Sequence, residues 1–228
     1  MIKLLQKDRY IFFQYGIIIF VIKLYVLTVD YLFDINNRTN TNGLISLDKL
    51  LIKSKNKKSG RDYQATRVVP LKKLFNYIKK YHDPKSSVLV DFGSGKGRVL
   101  LVASNFCYQK VRGIEFAHAL CDIAKNNLAI YTNRISSKTQ FQIIESDVVD
   151  YRINSDENVF FMYNPFNESI LSTIINNIVL SLSRSPRKIL IIYHNPKHTA
   201  VIEGHTQFVK LEEYVFVGYK FILYSNSY

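Results

Sequence analysis

The sequence has few cysteines and few acidic residues. Only two of its 228 residues are cysteines, Cys107 and Cys121, and both lie in apolar segments. This excludes a disulfide-stabilised scaffold and indicates a reducing compartment, which we take to be the cytoplasm. The chain also lacks internal repeats and low-complexity tracts, and its 47% hydrophobic and 21% charged residues are typical of a globular protein.

Acidic residues number 18 against 31 lysines and arginines, which leaves a formal net charge of +13. A charge of this size favours an acidic partner, such as nucleic acid, an anionic membrane surface or an acidic protein. The lysines are spread along the chain, so a basic surface that is merely solvated explains the charge equally well.

The one long hydrophobic run lies near the N-terminus, at residues 11–29. Three basic residues precede it, Lys3, Lys7 and Arg9. The pattern resembles a signal anchor, and no small-residue cleavage site follows it. However, Gln14 and Lys23 interrupt the run, and charges are costly at mid-bilayer depth. We expect a hydrophobic helix over residues 1–33; a membrane anchor through 11–29, an interfacial position and packing against the domain all remain open.

Residues 34–68 are polar and turn-rich at first and strongly basic from Lys53 to Arg61. Six apolar residues occur within them, Leu44, Ile45, Leu47, Leu50, Leu51 and Ile52. Such apolar anchors predict a connector that folds over the domain rather than a disordered linker.

Strands and helices alternate over residues 69–228, which we take as the main domain. Apolar patterns predict helices over 69–81, 97–105, 117–128 and 170–179, and strands over 88–92, 111–116, 141–144, 159–163 and 188–193. Such repeats build a parallel sheet covered on both faces. Two further extended runs, 207–215 and 221–224, leave no room for a crossover helix and must pair antiparallel. The sequence thus predicts an α/β, Rossmann-like fold with a seven-stranded, mostly parallel sheet and a C-terminal antiparallel hairpin.

The sharpest motif follows the first of these strands and reads Asp91-Phe-Gly93-Ser94-Gly95-Lys-Gly97. Glycine reaches backbone angles closed to other residues and lets a ligand approach without a Cβ in the way. The helix that follows begins with free N–H groups, which suit a carboxylate, and Asp91 can hold an ammonium group. A tight turn that binds nothing would not need three alternate glycines.

Two other nucleotide-binding loops do not fit this motif. The dinucleotide fingerprint spaces its glycines as G-x-G-x-x-G, whereas Gly93, Gly95 and Gly97 alternate. The P-loop pattern also fails, because no Gly-Lys-Ser/Thr stands at the required distance.

One acidic residue, Glu115, lies at the end of the second predicted strand, and another, Asp147, follows the third. Glu115 can accept hydrogen bonds from both hydroxyls of a ribose, as the equivalent acid does in dinucleotide folds. Asp147 is placed to accept from the exocyclic amine of adenine, with the Val148 N–H beside it. Taken alone, an exposed carboxylate at a strand end explains either residue.

Tyr163-Asn164-Pro165-Phe166 ends the fourth predicted strand. Ligands in open α/β sheets bind beyond the carboxyl ends of the strands, so Asn164, Pro165 and Phe166 are candidate catalytic residues. The Asn164 amide oxygen can accept a hydrogen bond from an amine, while Phe166 packs beside it. A rigid strand-to-helix turn is the alternative.

His194 and His198 are four residues apart, a spacing that metal sites use on helices. Pro196 lies between them and no third ligand is evident, so we expect no metal site.

Taken together, these motifs resemble class I S-adenosylmethionine-dependent methyltransferases over residues 60–228. The chain looks closest to bacterial members with D-x-G-S-G-K-G-R, G-[VI]-E-F and Y-N-P-F, which are distantly similar to the non-SET protein lysine methyltransferases. The resemblance implies S-adenosylmethionine as cofactor, bound by Asp91, Gly93, Ser94, Gly95, Gly97, Glu115, Phe116, Asp147, Val148 and Asn164. It also implies that residues 34–68 act as a lid, in which Tyr63 and Thr66 close over the cofactor and Tyr63 takes part in catalysis.

The same resemblance favours a protein side-chain amine, of the lysine type, as the methyl acceptor. An RNA or DNA base, which the charge favours, and a small molecule are alternatives. A module that binds the cofactor without catalysis is a further one.

We expect the protein to bind S-adenosylmethionine and not NAD, because the glycine spacing does not fit a dinucleotide. Isothermal titration calorimetry with each ligand measures this. Binding of NAD, with no response to S-adenosylmethionine, would overturn the interpretation of the glycine motif.

Overall fold

The computed structural model describes the backbone of residues 2–164 and 166–226, and the side chains of that part from residue 16 onward. Within it lie six α-helices: α1 (Ile2–Asn37), α2 (Val68–Ile78), α3 (Arg98–Ser104), α4 (His118–Arg134), α5 (Glu168–Arg184) and α6 (Thr199–Glu203). The same part contains nine strands: β1 (Leu44–Ile45), β2 (Tyr63–Gln64), β3 (Val88–Phe92), β4 (Lys110–Glu115), β5 (Gln140–Glu145), β6 (Val159–Tyr163), β7 (Leu190–His194), β8 (Phe208–Phe216) and β9 (Tyr219–Asn226).

Seven of the strands form one sheet in the order β5-β4-β3-β6-β7-β9-β8. Strands β3 to β7 pair in parallel, and β9 pairs antiparallel with both β7 and β8. The predicted fold class is therefore confirmed, including the C-terminal hairpin. Because the parallel strands run the same way, the loops after β3, β4 and β6 meet at one edge of the sheet.

Helices cover both faces of this sheet. On one face, Leu71 of α2 and Leu100 of α3 pack in a cluster with Leu89 of β3. On the other face, Ile174 of α5 packs in a cluster with Val90 of the same strand. Successive side chains of a strand point to opposite faces, so the continuous apolar run of β3 supplies both layers of the core.

The structure differs from the predicted elements in a few places. Helix α1 continues past residue 33 to Asn37, and α2 ends at Ile78 rather than at residue 81. The short helix α6 was not indicated by the local pattern. Among the expected anchors of the connector, Leu50 is buried, but Leu51 is 93% exposed, so only some of those apolar residues hold the connector to the domain.

Within the part of α1 whose side chains are described, residues 16–37, the C-terminal portion packs on the domain. Val26, Asp30 and Phe33 recur at helical spacing and are buried, whereas the apolar side chains from Ile17 to Tyr25 are mostly exposed. By length and composition the segment Gly16–Asn37 could cross a membrane, which is weak evidence for a membrane span.

A buried ion cluster joins α1 to the glycine motif. Arg98, the first residue of α3, is 2% exposed and lies 3.5 Å from Asp30 and 3.2 Å from Asp34. Its Nε donates a hydrogen bond to Thr41 Oγ1 at 2.7 Å. Asp30 also accepts a hydrogen bond of 2.8 Å from the N–H of Val68, at the start of α2. One guanidinium group and two carboxylates therefore link α1, the connector, α2 and α3.

We expect Asp30→Ala to lower the free energy of unfolding by about 3–5 kcal/mol, because it removes one carboxylate from a buried guanidinium. Asp122→Ala is the matched control: Asp122 pairs with His118 at 3.2 Å on the surface, where such pairs contribute little. Urea denaturation of both variants measures the difference. Equal losses in the two variants would contradict a structural role for the cluster.

Candidate functional site

A cavity of about 310 Å³ lies at the carboxyl ends of β3, β4 and β6. Strand-end loops form one side of it, and connector residues between Leu47 and Thr66 form the other. Of the residues predicted for the site, these line the cavity: Tyr63, Thr66, Asp91, Gly93, Ser94, Gly95, Glu115, Phe116, Asp147, Val148, Asn164 and Phe166. Gly97 does not line the cavity, and Pro165 lies outside the described residues.

The glycine motif turns tightly between β3 and α3. Gly93, Gly95 and Gly97 have φ angles of 77°, 53° and 83°, which residues with a Cβ rarely adopt. The N–H groups of Gly93 and Ser94 donate to the Ile114 carbonyl at 2.9 and 3.1 Å. These bonds attach the loop to β4 and place it beside the cavity.

Gly95 and Gly97 serve different contacts. The Tyr63 ring lies directly on Gly95, where a Cβ would come within 2.2 Å of a ring carbon. A Cβ on Gly97 would instead meet the Cβ of Ala124 in α4 at 3.4 Å. Gly97 thus lets α3 begin close to α4, and its contact is with a helix rather than with the cavity.

Tyr63 covers the glycine motif with its ring. Its hydroxyl donates a hydrogen bond to the Thr41 carbonyl, and burial raises the pKa of that hydroxyl. A neutral, hydrogen-bonded phenol packed on glycine is suited to closing the cavity rather than to transferring a proton.

In the described part of the chain, two polar side chains of the motif, Asp91 and Ser94, are buried. The buried Ser94 Oγ has no hydrogen-bond partner there. Asp91 is 2% exposed, and its burial, followed by repulsion from Glu115, raises its pKa well above the usual value. Buried polar groups are normally hydrogen-bonded. Asp91 lines the cavity and fits a ligand that brings a cation to this point. The Ser94 hydroxyl instead packs against Gly113 of β4, where an added Cβ would come within 2.5 Å of it.

Glu115 stands at the end of β4, beside the motif. Its Oε2 accepts from the Gly95 N–H at 2.9 Å, and its Oε1 accepts from the Ala117 N–H at 3.0 Å. Burial raises the pKa of Glu115, while these backbone bonds favour its charged form. Each carboxylate oxygen can accept a further bond, so Glu115 can hold the glycine loop and still receive the hydroxyls of a ligand.

Asp147 binds the connector in this structure. Its carboxylate accepts hydrogen bonds from the Ser54 hydroxyl and from Asn56 Nδ2, the latter at 2.9 Å. Nearby, Gly60 lies against Phe116, since a Cβ on Gly60 would come within 2.8 Å of that ring. The connector therefore covers the part of the cavity where Asp147 was predicted to accept a hydrogen bond from the adenine amine.

The opposite end of the cavity, which we call the acceptor end, lies beyond β6 and β7. Asn164 is buried with a φ angle of 36°, and its Oδ1 accepts a 3.2 Å hydrogen bond from the hydroxyl of Tyr193. Phe166 is half-buried beside it. Sequence reasoning missed Asn195 and Lys197, which also line the cavity, although Asn195 precedes a proline just as Asn164 does.

The structure places His194 and His198 in different surroundings. The His194 ring stacks between Tyr163 and Phe221, at centroid distances of 4.0 and 4.2 Å, and burial lowers its pKa to about 3. His198 precedes α6. Within the described range of the chain, no group of His, Cys, Asp or Glu side chains could hold a metal ion.

Several of the solved structures that share this fold are assigned as methyltransferases. One is an Escherichia coli protein assigned as a methyltransferase (TM-score 0.54, 16% identity, 82% of this chain and 99% of that chain). Another is a Pyrococcus horikoshii protein assigned as an RNA methyltransferase (TM-score 0.54, 16% identity, 79% and 95%). A third, solved with bound S-adenosylmethionine, is the magnesium protoporphyrin IX methyltransferase of Synechocystis (TM-score 0.52, 13% identity, 70% and 78%). The fold is that of the class I methyltransferases.

These neighbours agree in fold and differ in acceptor, since one is assigned to RNA and one to a porphyrin. The sequence matches no family model and no curated protein. The resemblance to the lysine methyltransferases therefore stays a prediction.

We expect Gly95→Ala to lower the free energy of unfolding by about 1–3 kcal/mol more than Gly218→Ala, because the new Cβ overlaps the Tyr63 ring. Gly218 is the matched control: its φ angle is also positive, at 84°, but a Cβ there would meet nothing within 4 Å. Chemical denaturation measures both losses. The gap should close when Tyr63→Ala is added to each variant, and a gap that persists would show that the ring is not the obstacle.

Proposed function

We propose that this protein is an S-adenosylmethionine-dependent methyltransferase that modifies a nitrogen atom, in first place the amine of a protein side chain. The observation that carries the proposal is the pair of buried carboxylates, Asp91 and Glu115, that line the cavity beside the glycine motif at the carboxyl edge of the sheet. Motif and cavity together suit a ligand with an amine, a ribose and a purine.

Each part of such a ligand has a counterpart in the cavity. Asp91 binds the amino group, and the backbone of the glycine motif at Ser94 lies beside the amino-acid part. Glu115 accepts from the ribose hydroxyls, as strand-end acids do in related α/β folds. Phe116 and Val148 pack against the adenine. Asp147 accepts a hydrogen bond from the adenine amine in addition to its bonds to the connector.

The cofactor supplies a methyl group on a positively charged sulfur, which is already an activated leaving group. The protein therefore has to position the acceptor and exclude water rather than activate the methyl. Asn164 and Phe166 hold the acceptor at its end of the cavity, and the connector with Tyr63 and Thr66 closes the other side.

A protein amine must reach this site uncharged in order to attack. The exposed charged residues that line the cavity are two bases, Arg61 and Lys197, and one acid, Asp62, and Lys197 lies at the acceptor end. Positive charges near an incoming ammonium favour its neutral form, as partial burial does. This supports an amine acceptor that loses its proton on entry.

An RNA base is the second candidate. The same basic residues would attract phosphate, and the net charge is +13. One experiment distinguishes the protein acceptor from the RNA acceptor. The purified protein is incubated with labelled S-adenosylmethionine and the protein, RNA and lipid fractions of a cell extract. We expect label that protease releases and ribonuclease does not. Ribonuclease-sensitive label would move the acceptor to RNA.

The cellular setting of the reaction follows from the same features. We place the domain in the cytoplasm, in line with its two free cysteines. We associate it with a membrane through the exposed apolar side chains of α1 between Ile17 and Tyr25.

We expect Asn164→Gly to cut turnover by roughly 10²-fold while cofactor affinity stays nearly unchanged, because the variant removes a group that positions the nucleophile. Glycine accepts the left-handed backbone of this position without strain. Asn126→Ala, an exposed asparagine outside the cavity, is the control. Full turnover in a stable Asn164→Gly protein would remove this residue from the mechanism. If the wild type and the control both bind the cofactor but transfer no methyl group, the protein is a binding module.

A further inference from the structure

Two asparagines that each precede a proline in the sequence stand side by side at the acceptor end. Strands β6 and β7 are neighbours, and their last residues, Tyr163 and His194, are directly paired. Asn164 and Asn195 come directly after these two strands, and each is followed by a proline in the sequence. Both line the cavity.

Both asparagines adopt a left-handed backbone. Their φ angles are 36° and 48°, a conformation that is uncommon outside glycine and that asparagine tolerates better than most residues. The turn at Asn195 is fixed from behind, because its N–H donates to the Lys220 carbonyl of β9 at 2.9 Å. Unusual backbone angles held in place by the surrounding structure cluster at functional sites.

The hydroxyl of Tyr193 links the two positions. Tyr193 is 1% exposed and donates to Asn164 Oδ1 at 3.2 Å. The Tyr193 hydroxyl oxygen also accepts from the N–H groups of Lys197 and His198, at 3.3 and 3.4 Å. One buried hydroxyl thus orients the Asn164 amide and holds the loop that carries Asn195.

We propose that Asn164 and Asn195 form a paired subsite for the acceptor nitrogen and that Tyr193 is its positioning residue; this rests on the proposed function. An amide oxygen accepts two hydrogen bonds, so Asn164 Oδ1 keeps one position free beside Tyr193. Asn195 offers a second amide at the same end of the cavity. Together they suit a nitrogen with two N–H groups, such as a primary amine.

The pair directs the nitrogen as well as binding it. With its N–H groups on the amide oxygens, the nitrogen turns its lone pair away from them, toward the interior of the cavity. The lone pair forms the new N–C bond as the C–S bond of the methyl breaks, the electron pair of that bond stays on sulfur, and one N–H proton passes to water. The subsite therefore selects a nitrogen acceptor over an oxygen or a thiol.

Sinefungin tests the subsite without a known acceptor, because an amine replaces the transferred methyl group in this cofactor analogue. S-Adenosylhomocysteine, which has nothing at that position, is the reference ligand. Calorimetry with both ligands gives the preference for the amine. We expect Asn195→Gly and Tyr193→Phe each to reduce sinefungin affinity about 10-fold or more, as for a lost hydrogen bond to a charged group, with less than about a twofold change for S-adenosylhomocysteine.

Tyr224→Phe is the matched control for Tyr193→Phe. Tyr224 is equally buried on the adjacent strand β9, and its hydroxyl donates to Glu203 at 3.1 Å, away from the cavity. This variant should lose stability while keeping the wild-type preference for sinefungin. Melting temperatures of all variants separate the two effects.

The outcomes distinguish the two proposals. Binding of S-adenosylhomocysteine with an unaltered sinefungin preference in Asn195→Gly and Tyr193→Phe would overturn the paired subsite alone. Failure of the wild-type protein to bind either ligand would overturn the proposed function, and the subsite with it.

Discussion

The arrangement of the site depends on the ion pairs that the buried guanidinium group of Arg98 makes with Asp30 and Asp34. This group belongs to the first residue after the glycine motif, yet its partners Asp30 and Asp34 lie on the N-terminal helix. A buried charge is tolerated only when it is paired and hydrogen-bonded. The N-terminal helix is therefore part of the folded domain at its C-terminal end, even though its apolar residues from Ile17 to Tyr25 are mostly exposed.

The same cluster sets the start of the connector. Thr41 receives the hydrogen bond of Arg98 Nε and offers its carbonyl to Tyr63, whose ring then lies on Gly95. A chain of direct contacts thus runs from the ion cluster to the surface of the cavity. Because the connector supplies one side of that cavity, the site exists only while these contacts hold the connector in place.

Much of the fold follows from local features of the sequence. The bounds of β3 and β6 agree with the predicted strands, and the absence of a crossover between the last two extended runs required the antiparallel hairpin. These features depend on residue periodicity and turn chemistry, which act between near neighbours. The end of α2 and the short helix α6 depend on packing against other elements, and no local pattern marked them.

The candidate site divides in the same way. By itself, the sequence determined that Asp91, Glu115, Asp147 and Asn164 would meet, because parallel strands end at one edge of a sheet. Only the tertiary structure decided that Gly95 lies under Tyr63 while Gly97 faces a helix, that Asp147 binds the connector, and that Asn195 stands beside Asn164. Those contacts join residues far apart in the chain, and such pairings are set by how the helices and connector pack on the sheet rather than by spacing along the sequence.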